Sequence, residues 1–169
     1  MDLSDLARHA ARDVVVETYP ELGWNGRMTD MQAALGLRQL KALDEILERR
    51  RLLAERYTAA LDGVPHIDPP YDPPYAKRTW QSYCVRIGPH APTGRTELMR
   101  RLLGDGIATR RGVMAIHEER AYAGLHPGLE HTEAAARETV LLPLFPDLSE
   151  EDQDFVLRRL AAHMLAQAA

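Results

Sequence analysis

Gly23-Trp24-Asn25-Gly26-Arg27-Met28-Thr29-Asp30-Met31-Gln32-Ala33-Ala34-Leu35 reads as a loop running straight into a capped helix. Gly23, Asn25 and Gly26 favour a turn. Thr29 and Gln32 make a capping box: the Thr29 hydroxyl accepts from the Gln32 amide, and the Gln32 side chain reaches back to the Thr29 backbone. Behind the box, apolar residues recur at Met31, Ala34, Leu35, Leu40, Leu43, Ile46, Leu47, Leu53, Ala54, Tyr57 and Leu61. That spacing lays one apolar stripe along a helix. Glu45, Glu48 and Arg49 make the other face partly charged. The pattern predicts a helix over Thr29 to Leu61, closed by Asp62-Gly63. A helix of that length packs across two layers or against a second subunit.

Upstream, Leu3 to Arg12 predicts a short helix, and Val14-Val15-Val16 a short strand. Downstream, Pro65, Pro69, Pro70, Pro73 and Pro74 mark an extended connector over His66 to Tyr75 with no regular sheet. Thr79 to Ile87, rich in Trp, Tyr, Val and Ile, predicts a strand. A helix over Gly94 to Leu103 closes at Gly104. Ile107-Ala108-Thr109 predicts a second strand, leading into Arg110-Arg111-Gly112. Ile116 to Tyr122 is irregular or a single helical turn. Thr132 to Val140 predicts a helix, and Leu141-Leu142 a strand stopped by Pro143. Ser149, with Asp152 three residues on, caps a last helix from Glu150 to about Leu165. Helices alternating with short strands predict an α/β to α+β fold with a small sheet.

With 169 residues, 45% of them apolar, the chain is long enough for a real core. A net charge of −4 leaves no basic field for nucleic acid or an anionic membrane. No apolar run reaches the length of a membrane span or a signal peptide. Cys84 is the only cysteine, which excludes an intrachain disulfide and a thiolate metal site. A cytoplasmic protein with neither membrane nor nucleic-acid partner is the expectation.

The usual catalytic constellations do not appear. There is no glycine-rich phosphate loop, no His-Glu-x-x-His pair and no Gly-x-Ser-x-Gly elbow. His126 and His131 lack a third ligand and read as solvated, so no metal site is expected. Cys84, inside a predicted strand, reads as a small buried hydrophobe. Three places stand out. Asn25 and Arg27 precede a helix N-terminus, where anions bind, although a plain turn and a surface ion pair explain the same residues. Arg110-Arg111 at a strand end is a second candidate anion site, or a solvated pair. His117 lies among Met114, Ala115 and Ile116, as a functional or a structural histidine.

The stretch Glu21 to Leu40 resembles a segment of the DegT/DnrJ/EryC1/StrS aminotransferases that reads E-x-G-[YW]-N-x-R-M-T-[DE]-x-Q-A-A-x-G-x-x-Q-L. Trp80-Gln81-Ser82-Tyr83, Gly106 to His117, and Leu141 to Pro146 with Ser149 to Gln153 resemble later segments in the same order. The resemblance implies the small C-terminal domain of a fold-type I transferase dependent on pyridoxal 5′-phosphate (PLP): a small sheet packed with helices, preceded by a long helix. Such enzymes move an amino group, usually from glutamate, to a keto sugar on a nucleotide, for antibiotic or cell-surface polysaccharide synthesis. PLP serves as electron sink. They are dimers with active sites at the interface. Asn25 matches the residue that reaches the partner subunit's PLP phosphate, with Arg27 at the same seam. Trp80, Gln81, Tyr83, Arg111 and His117 match positions near the sugar nucleotide. Arg120 stands where one subgroup has proline, so the resemblance leaves the local loop, and with it the choice of sugar, open.

The family's Schiff-base lysine lies upstream of the matching segment. This chain has only Lys41 and Lys77, neither in the family's surrounding pattern. The resemblance therefore implies no catalytic residue here and no covalent attachment of PLP. Residues 1–28 are expected to be a remnant of the large domain and linker, 29–61 an interdomain or dimer-interface helix, and 62–169 the small domain. A fragment, a disrupted gene or a displaced start each gives such a chain. It is expected to be inactive alone. The alternative is a non-catalytic module that pairs with a full-length relative and donates Asn25 to its site.

Overall fold

The computed structural model describes residues 11, 13–15, 22–24, 26–122 and 128–165. The elements run α1 (Asp30–Leu40), α2 (Leu43–Leu61), β1 (Ile67–Asp68), β2 (Tyr83–Ile87), α3 (Arg95–Gly104), β3 (Arg110–Arg111), two 3-10 turns (Ile116–Glu118 and Arg120–Tyr122), α4 (Glu130–Glu138), β4 (Thr139–Leu142) and α5 (Glu150–Leu165). The four strands form one sheet in the order β1-β2-β4-β3, with every pair antiparallel. Cross-strand partners share a face, so Ile67 and Ile87, Val85 and Val140, and Tyr83 and Leu142 line one side together. These residues join Leu53, Tyr57 and Leu61 of α2, Leu98 and Leu102 of α3, and Val156, Leu160 and Met164 of α5 in a single buried cluster. Each fully buried large side chain there contributes about 1.5–3 kcal/mol relative to exposure. The small α/β to α+β architecture expected from the sequence is the one found.

The capping box forms as read. The Gln32 amide donates to Thr29 Oγ1 at 3.4 Å, and the Thr29 amide to Gln32 Oε1 at 2.9 Å. Ser149 caps α5 by accepting from the Asp152 amide at 3.0 Å. Several boundaries differ. The single helix expected over Thr29 to Leu61 is two helices. At the break, Lys41 N and Ala42 N donate to Arg38 O and Gln39 O, a tightened turn that interrupts the ladder. The proline-rich connector does hold sheet: Ile67–Asp68 pairs with β2 as an edge strand just before Pro69. The strand expected over Thr79 to Ile87 begins only at Tyr83.

The strand expected at Ile107 to Thr109 forms instead at Arg110–Arg111. Ile107 is engaged in ending α3: its amide donates to Leu102 O at 2.8 Å, and that of Gly106 to Leu103 O at 3.0 Å. Gly106, at φ +83, supplies the left-handed residue of this Schellman closure, and it rather than Gly104 ends the helix. α4 starts two residues before the expected Thr132 and leads directly into β4. Val14 and Val15 lie in no strand, because the Val14 amide is taken by the Asp13 carboxylate at 2.7 Å. Apart from Ala11, the helix expected over Leu3 to Arg12 lies outside the described residues, as do Val16, Asn25 and His126.

The two halves of the expected long helix have different environments. α2 buries Leu53, Ala54, Tyr57 and Leu61, whereas no residue of α1 is buried. Met31 is 85% exposed and Trp24 fully exposed, with Leu22, Met28, Leu35, Leu37 and Leu40 also in solvent. An eleven-residue helix is marginal alone and draws stability from packing of its apolar face. An apolar lip of this extent marks an association surface. The isolated chain should therefore elute in light-scattering chromatography above its 19.0 kDa mass, and Leu35→Glu should return it toward monomer. A monodisperse wild-type monomer overturns this.

The end of α3 is tied to α5 by charge. Asp105 accepts from Arg159 Nη2 and His163 Nε2, both at 2.6 Å. Hydrogen bonds from Arg159, then His163, hold its carboxyl down to about 2. A carboxyl lowered on folding adds stability above its unfolded value and loses it as pH falls through the folded one. Urea midpoints of the wild type and Asp105→Asn should thus differ at pH 7 and converge as pH falls from about 4 to about 2. A gap that persists to pH 2 assigns the effect elsewhere.

Candidate functional site

The segment from Lys77 to Ser82 crosses from the proline connector into β2 and lines an open depression of ≈ 370 Å³. Trp80 holds φ +48; with His66 it is one of two non-glycine positive-φ residues among those described. That conformation costs about 1–2 kcal/mol and persists only where neighbours impose it. The indole is buried, stacked on Tyr83 at 5.8 Å, with the Arg78 guanidinium 5.1 Å from its ring centre. Arg78 in turn bonds Tyr71 O and pairs with Asp72 at 3.2 Å. From α2, Arg50 Nη1 donates to Trp80 O at 3.0 Å and Gln81 O at 2.7 Å. Gln81 itself is exposed.

Tyr83 is turned inward. It is 0% exposed, its hydroxyl lies 2.9 Å from Thr58 Oγ1, and its ring lies 5.0 Å from that of Tyr57. Burial pushes its hydroxyl pKa up, against the opposing bond to Thr58. The structure thus brings the three expected residues of this segment together but gives them different surroundings: Trp80 and Tyr83 within the packed interior, Gln81 at the rim.

The second segment follows β3. Arg111, with a side chain 15% exposed, reaches Glu119 Oε1 at 3.5 Å. Arg95 lies close enough that burial first, and the Arg111 charge second, lower its pKa. His117, with a side chain 10% exposed, meets Glu133 Oε1 at 3.1 Å. The Glu133 carboxyl is held below its ordinary range by His117 first and then by the Leu129 amide, which donates to it at 3.0 Å. His117 thereby ties the first 3-10 turn to the start of α4. Ligand atoms of His117, Glu118 and Glu133 lie within 4.8 Å of one another. Glu118 is exposed, and Glu133 already serves Leu129 and faces Arg137 at 3.7 Å, so the trio carries no metal assignment.

Gly112 joins the two segments. A Cβ there would sit 2.5 Å from Cys84 Sγ and 2.6 Å from Thr139 Oγ1. The backbone after Arg111 therefore lies hard against β2 and β4, one residue from Tyr83. The sequence marked this position only as the end of an arginine pair. Arg50 and Arg78 went unrecognised as well, since a basic run in a helix and a cation in a proline-rich connector read as solvated.

The third segment surrounds α1. Arg27 is exposed beside the capped helix; Asn25 lies outside the described residues. Both lysines are exposed, Lys41 at the end of α1 and Lys77 on the open depression. No helix among the described residues is long and apolar enough to cross a membrane.

Residues 3–161 match the family model described as the DegT/DnrJ/EryC1/StrS aminotransferase family. The erythromycin biosynthesis sensory transduction protein EryC1 of Saccharopolyspora erythraea is 35% identical over 144 residues, covering 83% of this chain and 38% of that protein. Among solved structures, S. venezuelae DesV in complex with a ketimine intermediate superposes with a TM-score of 0.77 at 31% identity, covering 86% of this chain and 39% of that one. DesI in the presence of its TDP-sugar product superposes with a TM-score of 0.75 at 27% identity, covering 80% and 35%. The chain thus spans less than two-fifths of the length of each.

Replacing Gly112 tests the close approach that joins the segments. Gly112→Ala should cost about 1–3 kcal/mol in urea unfolding, because Cys84 and Thr139 must move. A loss below about 0.5 kcal/mol means that both give way freely.

Proposed function

Because the chain belongs to the DegT/DnrJ/EryC1/StrS aminotransferase family, we propose that it is the C-terminal part of a PLP-dependent transaminase that aminates nucleotide-linked keto sugars and is inactive by itself. The observation that carries this reading is the apolar lip of Trp24, Met28, Met31 and Leu35 beside exposed Arg27, on a chain under two-fifths the length of its relatives. Such a lip suits a seam, with residues 29–61 at the interface, 62–169 as the small domain and 1–28 as linker. Antibiotic or cell-surface polysaccharide synthesis is the pathway class this reading implies.

The described residues fit one end of PLP only. Arg27 stands in solvent beside a capped helix, where a guanidinium meets phosphate. Lys41 and Lys77 are unenclosed, so neither is placed to hold the cofactor covalently. When bound in the complete enzyme, PLP supplies the electron sink for amino transfer. This chain's part is to orient and to enclose. Asn25 and Arg27 contact the phosphate of a PLP held mainly by another polypeptide. Gln81, Arg111 and His117 face the sugar nucleotide, with Trp80 and Tyr83 as the packed floor beneath Gln81.

The exposed face of α1 also favours a second reading, a non-catalytic module that docks on a full-length relative. The test is co-expression with a polypeptide spanning the missing length, supplied with PLP, glutamate and a TDP-linked keto sugar. Glutamate-dependent amination by the assembly but not by the chain alone supports the first reading. Stable assembly that leaves the relative's own rate unchanged supports the second. Within the active assembly, Asn25→Ala should weaken PLP binding about tenfold or more, the value of a hydrogen bond to a charged group. Unchanged PLP affinity removes Asn25 from the site.

A further inference from the structure

We infer that Arg50 is the positioning residue of the sugar-facing loop: from within helix α2 it fixes the backbone of Trp80 and Gln81, and so sets affinity for the amino acceptor without touching it. The inference rests on the aminotransferase reading for the identity of the acceptor. The positioning itself rests on geometry.

One guanidinium nitrogen, Nη1, donates to two consecutive carbonyls, Trp80 O at 3.0 Å and Gln81 O at 2.7 Å. In an extended strand, successive carbonyls point to opposite sides. Here both reach one donor, directly after Trp80, whose own backbone is left-handed at φ +48. The charge-assisted bonds fix the two peptide planes that flank Gln81, and the one to Trp80 O helps to hold tryptophan in a conformation it otherwise avoids. Among the described residues Arg50 has no carboxylate partner. Its neighbours at positions 49 and 51 do other work: Arg49 bonds Pro146 O and Leu148 O, and Arg51 pairs with Glu48 and Glu55. Only Arg50 of this run addresses the loop.

The indole is fixed independently by contacts with Tyr83 and Arg78. What Arg50 adds is the backbone direction at Gln81, whose side chain stands exposed at the rim of the depression with Lys77, Arg78 and Ser82. Without Arg50, the two carbonyls lose their shared donor and the turn relaxes toward an extended strand. Gln81 then moves, while the indole stays seated in the core.

The experiment compares the wild type, Arg50→Met and Arg50→Lys in the active assembly described above. In Arg50→Met, KM for the TDP-linked keto sugar should rise about tenfold or more, while kcat and KM for glutamate stay within about twofold. Arg50→Lys should recover part of the loss, since an ammonium offers donors to both carbonyls. Equal changes in both KM values, no change in either, or a fall in kcat alone overturns the inference. A wild-type assembly that aminates no sugar sinks the aminotransferase reading and the acceptor role together. The hold on the loop is then read from the chain alone. The amide resonances of Trp80, Gln81 and Ser82 should shift in Arg50→Met while those of β4 do not, and an unshifted Gln81 overturns the positioning role as well.

Discussion

The side-chain amide of Gln153, fully buried, donates to the carbonyl of Leu53 at 2.7 Å across 100 residues of sequence. Its oxygen accepts from Arg56 at 3.3 Å. A buried amide is costly unless both its ends are satisfied, so this contact fixes α5 against α2 at one register. The other polar links follow the same helix. Arg49 holds the carbonyls of Pro146 and Leu148 ahead of α5, Tyr57 donates to Pro143 O at 3.1 Å, and Thr58 meets the Tyr83 hydroxyl. Helix α2 is thus both a wall of the core and the donor for carbonyls that strands and helices leave unpaired.

That arrangement explains why the break at Lys41 and Ala42 matters. Beyond it, α2 is committed to its own domain by buried side chains and by bonds to two loops and to α5. Before it, α1 is held by its capping box and, among the described residues, by nothing in the core. The two helices share one apolar stripe in sequence, but among the described residues only the second buries its part of it. The rest of the stripe, with Trp24 and Arg27, is exposed to solvent, as suits a chain that covers under two-fifths of the length of its relatives.

The candidate site is assembled from segments whose local conformations are unfavourable alone. Trp80 is left-handed at the end of a proline-rich connector, Gly112 is pressed against Cys84 and Thr139, and Arg111 lies largely buried near a second guanidinium. Trp80 and Gly112 are kept in place by elements distant in sequence, α2 for the first and β2 with β4 for the second, and Arg111 by Glu119 eight residues on. Such strain survives only on a rigid frame. Here the frame is the antiparallel sheet and the three helices packed on its apolar side.

Local chemistry made part of this legible without a structure. The Thr29–Gln32 box, the Ser149 cap, the extent of α5 and the overall helix-and-strand order depend on contacts three or four residues apart, which sequence records directly. The motif running from Asn25 to Gln32, matched in order by later segments, carried the family. Tertiary structure decided the rest. Whether Met31 and Tyr57, on one stripe, are exposed or buried depends on which partners are present, and periodicity is the same in either case. Ile67 became a strand because Ile87 lay alongside it, and Ile107 did not because its amide was needed to close α3. Arg50 looked like one more cation on a charged face. Only the fold brought the carbonyls of Trp80 and Gln81 to it, from thirty residues away, where no local pattern could register the pairing.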